Sequence, residues 1–187
     1  METQPATRPR HDRPRIPPGD RDDIGRVNHL IAAAIGRAAG DGPPHLFTTL
    51  SRHRRLYRRW LRFAAVLMPF GRLPRRDTEL VILRVAVNCD CVYEWDHHVR
   101  LGRRAKLTPA DVERVRQGPD AEGWTPRQRA LLRAADELHE SRDIGDAAWG
   151  ALREHLDDTR TIELCMLVGH YEMLAMTINA LGIQPDH

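Results

Sequence analysis

Between Leu80 and Val87 the chain reads Leu-Val-Ile-Leu-Arg-Val-Ala-Val, a run with almost no polar side to show to water. Leu73-Pro74 opens the segment with proline in the first turn, where its missing N–H costs nothing, and Asn88-Cys89-Asp90 closes it with residues that end one helix and cap the next. A helix that is apolar on most sides is stable in water only when other elements cover it. This segment is therefore expected to be the central buried helix, with the remaining elements packed around it.

The flanking sequence supplies covering elements of the amphipathic kind. From Asp22 to Ala39, Ile24, Val27, Leu30, Ile31, Ala34 and Ile35 recur at three- and four-residue spacing, with Asp22 or Asp23 as the start and Gly40 as the stop. After Gly42-Pro43-Pro44, the residues Leu46, Leu50, Leu56, Leu61, Ala64, Ala65 and Leu67 mark a second helical region ending at Pro69 and Gly71, as one long helix or two. A helix from about Cys91 to Arg104 follows the central one. Further helices open at Thr108-Pro109 and at Thr125-Pro126, the latter running to Glu140, each with a capping residue before proline. Two more run from Asp146 to His155 and from Asp158 to about Leu181, before Gly182. No convincing strand pattern intervenes, so the fold class expected is all-α with about seven or eight helices.

At 187 residues the chain fits one compact domain. Residues 1–20 hold five prolines and no apolar period, and are expected to form a disordered N-terminal arm, with N-terminal helices over 21–72 and a core over 73–187. The longest apolar runs fall short of the roughly 20 residues that span a bilayer, and no secretory signal follows the N-terminal arginines. The expectation is a cytoplasmic protein with no membrane segment. Three cysteines (Cys89, Cys91, Cys165) make no disulfide framework. The 29 basic residues are nearly matched by 26 acidic ones, so charge gives little support to a nucleic-acid partner. The six arginines between Arg52 and Arg62 spread around their helix and read as a solvated or subunit-facing surface.

Residues three, four and seven apart share a helix face, so Cys91, Glu94 and His98 should point the same way. The set combines a thiol, a carboxyl and an imidazole, and a helix N-terminus beside Cys91 would favour its thiolate. The alternative is three ordinary buried or paired side chains. Glu94 and His97 also form one Glu-x-x-His unit of the di-iron type, but the second copy is lacking, Asp136 with His139 being only a partial stand-in, so no metal is expected. Phosphate loops, Gly-x-Ser-x-Gly elbows and Cys-x-x-Cys pairs are absent from the sequence.

The run Leu73-Pro-Arg-Arg-Asp-Thr-Glu79-Leu-Val-Ile-Leu-Arg-Val-Ala, then Cys91-Val-Tyr-Glu94-Trp-Asp-His-His98, resembles the carboxymuconolactone decarboxylase and alkyl hydroperoxidase D superfamily. The segment from Ile162 to Asn179 resembles that family's closing helix. The resemblance implies an alkyl hydroperoxidase D-like helical bundle, a closed homo-oligomer such as a trimer or hexamer, and an active site at Glu79, Cys91, position 94 and His98. The family's reductase branch has the spacing E-x11-C-x2-C-x3-H; this chain keeps every interval but places Glu at position 94. Because the resemblance implies a disulfide between the two motif cysteines, that cycle cannot run here. The decarboxylase branch, which the resemblance implies to be cofactor-free and reliant on acid–base groups, suits Glu94 and His98 better.

The function expected is thus a lyase or isomerase acting on a small carbonyl or carboxylate compound, with no cofactor and with Glu94 and His98 as acid and base. A thiol-dependent peroxidase using Cys91 and a non-catalytic oligomeric binding protein are the alternatives. Tyr93, Trp95, His170 and Tyr171 are the expected substrate-binding residues; Arg84 and Asn179 read as structural polar contacts, and Trp124, Trp149 and, as the simpler alternative, Trp95 as packing residues.

Overall fold

A computed structural model describes residues 9–39 and 42–186. Its regular elements are all helical: α1 (Arg21–Ile24), α2 (Arg26–Ala39), α3 (His45–Leu50), α4 (Arg54–Leu67), α5 (Arg75–Asn88), α6 (Val92–Arg104), α7 (Pro109–Gln117), α8 (Pro126–Ser141), α9 (Asp146–Arg153) and α10 (Asp158–Leu181). The count exceeds the expected seven or eight because two expected regions are each split. Gly25, at φ 81, separates α1 from α2, and Ser51 to His53 separate α3 from α4. The expected stop at Gly40 lies outside the described residues.

α5 is the central element, packed against α6, α7, α8 and α10. It divides the core in two. Val81, Ile82 and Val85 face a cluster with Leu131 and Ala135 of α8 and Leu164, Leu167 and Val168 of α10. Leu80, Leu83, Ala86 and Val87 face a second cluster holding Trp95 of α6, Val115 of α7, Trp124 and Leu132. Apolar burial is the main favourable term in folding, and a helix that contributes to two clusters concentrates it. Arg84, the polar interruption, points at α8, where Asp136 accepts from its Nε and Nη2 at 2.5 and 2.9 Å and from Asn88 Nδ2 at 2.8 Å.

Local chemistry sets the ends. Thr108 and Thr125 accept from the backbone N–H groups of Asp111 and Gln128, whose side chains accept in return. Proline follows each cap, as expected. Glu163 of α10 accepts from the backbone N–H groups of Arg72 and Leu73 at 2.8–2.9 Å, tying the entry of α5 to α10. At the other end Asp90 takes a left-handed φ of 52 and Asn179 donates to the carbonyl of Cys89 at 3.0 Å, so the bend into α6 is clamped from α10. Gly182, at φ 65, stops α10.

Of the twenty residues expected to form an arm, 1–8 lie outside the described residues. Residues 9–20 run over the surface with specific partners: Arg15 N–H donates to Leu181 O at 2.9 Å, Gly19 N–H to Thr48 O at 3.3 Å, and Arg52 to Pro17 O at 2.9 Å. α10 is long and apolar enough, by length and composition, to cross a membrane, yet Leu164, Leu167, Val168, Leu174, Ala175 and Ile178 are buried within this fold.

Leu131 is fully buried in the cluster that joins α8 to α5. Leu131→Ala is expected to lower unfolding free energy by about 2–5 kcal/mol, with an unchanged urea m-value, when both proteins are unfolded in urea.

Candidate active site

Glu79 lies one turn after Arg75 on α5, and both face α6. Its side chain is fully buried. Oε2 accepts from Nδ1 of His98 at 2.8 Å, and the Arg75 guanidinium comes within 2.6 Å of Oε1 as an ion pair without good hydrogen-bond alignment. A carboxylate beside arginine can only accept, so at this contact Nδ1 of neutral His98 carries the hydrogen and Nε2 keeps its lone pair. The T-shaped packing of Tyr171 against the imidazole, with ring centroids 5.1 Å apart, fixes its plane.

Glu94 sits one turn before His98 on α6 and is 2% exposed. Neither of its carboxyl oxygens has a hydrogen-bond partner among the described residues. Desolvation therefore pushes its pKa well above the usual carboxylate range and favours the neutral acid. The two groups occupy contrasting environments: His98 is anchored to an ion pair, and Glu94 is buried with no hydrogen-bond partner among the described residues.

Both line one cavity of roughly 500 Å³ between α4, α6 and α10, with Phe47, Trp60 and Leu174 among its apolar walls. Its residues include Tyr93, His170 and Tyr171, all expected from sequence to bind substrate. Tyr93 shows its ring to the cavity while its hydroxyl is engaged, donating to Asp186 at 2.9 Å and accepting from Leu46 N–H at 3.3 Å. His170 stacks on Trp60, and burial lowers its pKa to about 4, making it a neutral wall residue near pH 7.

Two expected site residues sit elsewhere. Trp95 belongs to the second core cluster, on the other side of α5, with Arg116 4.0 Å from its ring centroid. Its side chain points away from Glu94 because neighbouring positions on a helix diverge by about 100°. Cys91 is the N-cap of α6 rather than a residue of its first turn, is 1% exposed, and does not line the cavity. The helix N-terminus was expected to favour its thiolate, and the Glu94 N–H does act in that direction. Burial first, and then the charge Glu94 would carry, push the thiol well above its usual range instead.

Arg75 was missed in the sequence, although its four-residue offset from Glu79 is the helical ion-pair spacing. Arg84 and Asn179 are structural, as expected. The pairing of Asp136 with His139 does not form: Asp136 is taken by Arg84 and Asn88, and His139 turns to Glu172.

Residues 54–137 match the model of the carboxymuconolactone decarboxylase family. No curated protein matches the chain. The fold is similar to that of a peroxidase-related protein from Ralstonia eutropha JMP134 with an alkylhydroperoxidase AhpD core, at TM-score 0.82 and 21% identity over 94% of this chain and 93% of that one. A peroxidase-related protein from Silicibacter sp. TM1040 is similar at TM-score 0.80 and 18% identity, over 99% and 95% of the two chains. The debrominase Bmp8 is similar at TM-score 0.78 and 15% identity over 91% of each chain.

The buried acid has a thermodynamic signature. A carboxyl whose pKa rises on folding contributes stability that is complete below the unfolded value, near 4.5, and is lost as pH climbs through the raised folded value. Glu94→Gln should thus become progressively more stable relative to wild type as pH rises above about 4.5. Urea unfolding of both proteins from pH 4 to 9 reads this out, and a pH-independent difference would mean that Glu94 titrates normally.

Proposed function

Because residues 54–137 match the model of the carboxymuconolactone decarboxylase family, we propose that this chain is an acid–base enzyme that moves a proton on a small carbonyl compound, in a lyase or isomerase reaction. The observation that carries this reading is the pairing, on one cavity wall, of a buried carboxyl without a hydrogen-bond partner among the described residues with an imidazole whose tautomer is set by Glu79. Groups whose environments separate their proton affinities are what acid and base roles require.

His98 Nε2 removes a proton from a carbon next to the carbonyl, and the electron pair left behind moves into the carbonyl. Glu94 hydrogen-bonds the carbonyl oxygen and delivers its proton there, so that charge does not build up in an apolar site. The enol then collapses by taking a proton at another carbon from the His98 imidazolium, which is isomerisation, or by expelling a leaving group that takes that proton, which is elimination; in both the enol O–H proton returns to Glu94. In a β-keto acid the electron pair comes from C–CO2 cleavage instead, and Glu94 protonates the same oxygen. Glu79 accepts from the imidazolium that forms, and Arg75 holds Glu79 in place. The reading uses protein groups alone, and the aromatic walls favour a compact ring or short-chain substrate.

A thiol-dependent peroxidase is the alternative, favoured by the peroxidase-related names of two similar structures. It would need Cys91 to meet peroxide, and the 1% exposure of that residue counts against it. For the binding-protein alternative, a pocket carrying buried Glu94 and His98 is more reactive than binding requires. We also propose a homo-oligomer, supported by apolar residues left at the surface of α4 and α10, among them Leu56, Val66, Ile162 and Met176.

Exchange of carbon-bound hydrogens in small cyclic keto acids and enol lactones, followed by NMR in deuterated water, tests the acid–base reading. Glu94→Gln and His98→Asn should each lower the rate by about 10²–10⁴-fold, and Cys91→Ala by less than about tenfold. Full activity in Glu94→Gln would remove the assignment. Under native conditions at pH 7.5, iodoacetamide should modify Cys165, which is partly exposed, well before Cys91. Rapid labelling of Cys91 would revive the peroxidase.

A further inference from the structure

Three side chains from separate elements converge at the end of α5 remote from Glu79. Cys89, the C-cap of α5, turns its Sγ toward Nδ1 of His139 on α8 at 3.9 Å, and that nitrogen lies 2.7 Å from Oε1 of Glu172 on α10. One ligand atom from each lies within 4.8 Å of the other two. The trio is not the relay of a thiol enzyme. In such a relay, opposite nitrogens of the imidazole face the nucleophile and the carboxylate. Here one nitrogen faces both, so thiol, imidazole and carboxylate aim at a common point.

We propose that Cys89, His139 and Glu172 form a binding site for one divalent cation of borderline softness, with Zn2+ as the best match. Thiolate, imidazole and carboxylate are the three side-chain ligand types zinc uses, at roughly 2.3 Å for sulfur and 2.0–2.2 Å for nitrogen and oxygen. Tetrahedral geometry at those lengths sets sulfur and nitrogen about 3.5 Å apart, and nitrogen and oxygen about 3.3 Å apart. The observed separations each differ by roughly half an ångström, within reach of side-chain rotation. Binding replaces the thiol proton and the His139–Glu172 hydrogen bond, and a thiolate plus a carboxylate neutralise the two charges of the ion. Arg142 lies 3.7 Å from Oε2 of Glu172 with a side chain 69% exposed, and its guanidinium donates to the carbonyls of Leu138 and His139 rather than occupying the point on which the three ligand atoms converge.

The fourth position opens toward a second cavity, of roughly 580 Å³, lined by Cys89 and His139 together with Arg10, His11 and Asn179. No residue lines both this cavity and the first. Three protein ligands with one open position is the arrangement of a zinc that binds water or a small anion rather than a closed structural centre. The ion would also tie together the ends of α5, α8 and α10.

The test is a titration of metal-stripped protein with Co2+, then displacement by Zn2+. One Co2+ per chain is expected, with a thiolate-to-cobalt absorption band that Zn2+ abolishes. Cys89→Ser should lose the band. Changes to groups that merely support a ligand weaken metal affinity by about 10–100-fold, so His139→Gln and Glu172→Gln should weaken Zn2+ by at least about tenfold. Cys165→Ser should bind as wild type does, separating this site from the other partly exposed thiol. Absence of Co2+ binding, a band that survives Cys89→Ser, or one lost with Cys165→Ser would overturn the proposal. If Cys89→Ser does not fold, unchanged affinity in both His139→Gln and Glu172→Gln would overturn it equally.

Discussion

A carboxylate withdrawn from water in the most apolar helix of a domain is tolerated only if its charge is answered on the spot. Glu79 is answered by Arg75 from its own helix and by His98 from the next. That double contact sets the register of α6 against α5. Once His98 is placed there, Glu94 falls one turn earlier on the same cavity wall, Trp95 turns to the opposite core cluster, and Cys91 is left at the helix cap, beneath the cavity wall rather than on it.

The same arrangement separates the two candidate catalytic groups chemically. His98 stands against the Glu79–Arg75 ion pair. Glu94, one turn earlier on the helix, has no hydrogen-bond partner for its carboxyl among the described residues, and burial favours its neutral form. Neither environment is a property of the residue itself. Each follows from which side of α6 the residue occupies and which helices cover that side.

α5 therefore carries more than core packing. Glu79, in its first half, anchors the acid–base centre, and Cys89, at its end, meets His139 and Glu172 about 15 Å further along the axis. The two groups open into different cavities, which share no lining residue. Asn179 and Asp136, which hold the bend and the exposed flank of α5, keep both ends in position.

Much of this was legible in the chain. The helical period, the Thr-Pro starts, the central apolar run and Gly182 follow from local backbone and burial preferences, and the matching Glu79, Cys91, Glu94 and His98 intervals pointed to a recognisable site. The splits at Gly25 and Ser51 were less legible, because a break of one or a few residues barely disturbs an apolar period. What the sequence by itself determined was which residues share a helix face and where helices begin and end, since both depend on neighbours within a turn or two. Only the tertiary structure decided that Glu94 is buried without partners, that Cys91 is shut away, and that Cys89, His139 and Glu172 meet. Desolvation and convergence are set by helices distant in sequence, and no local spacing encodes them.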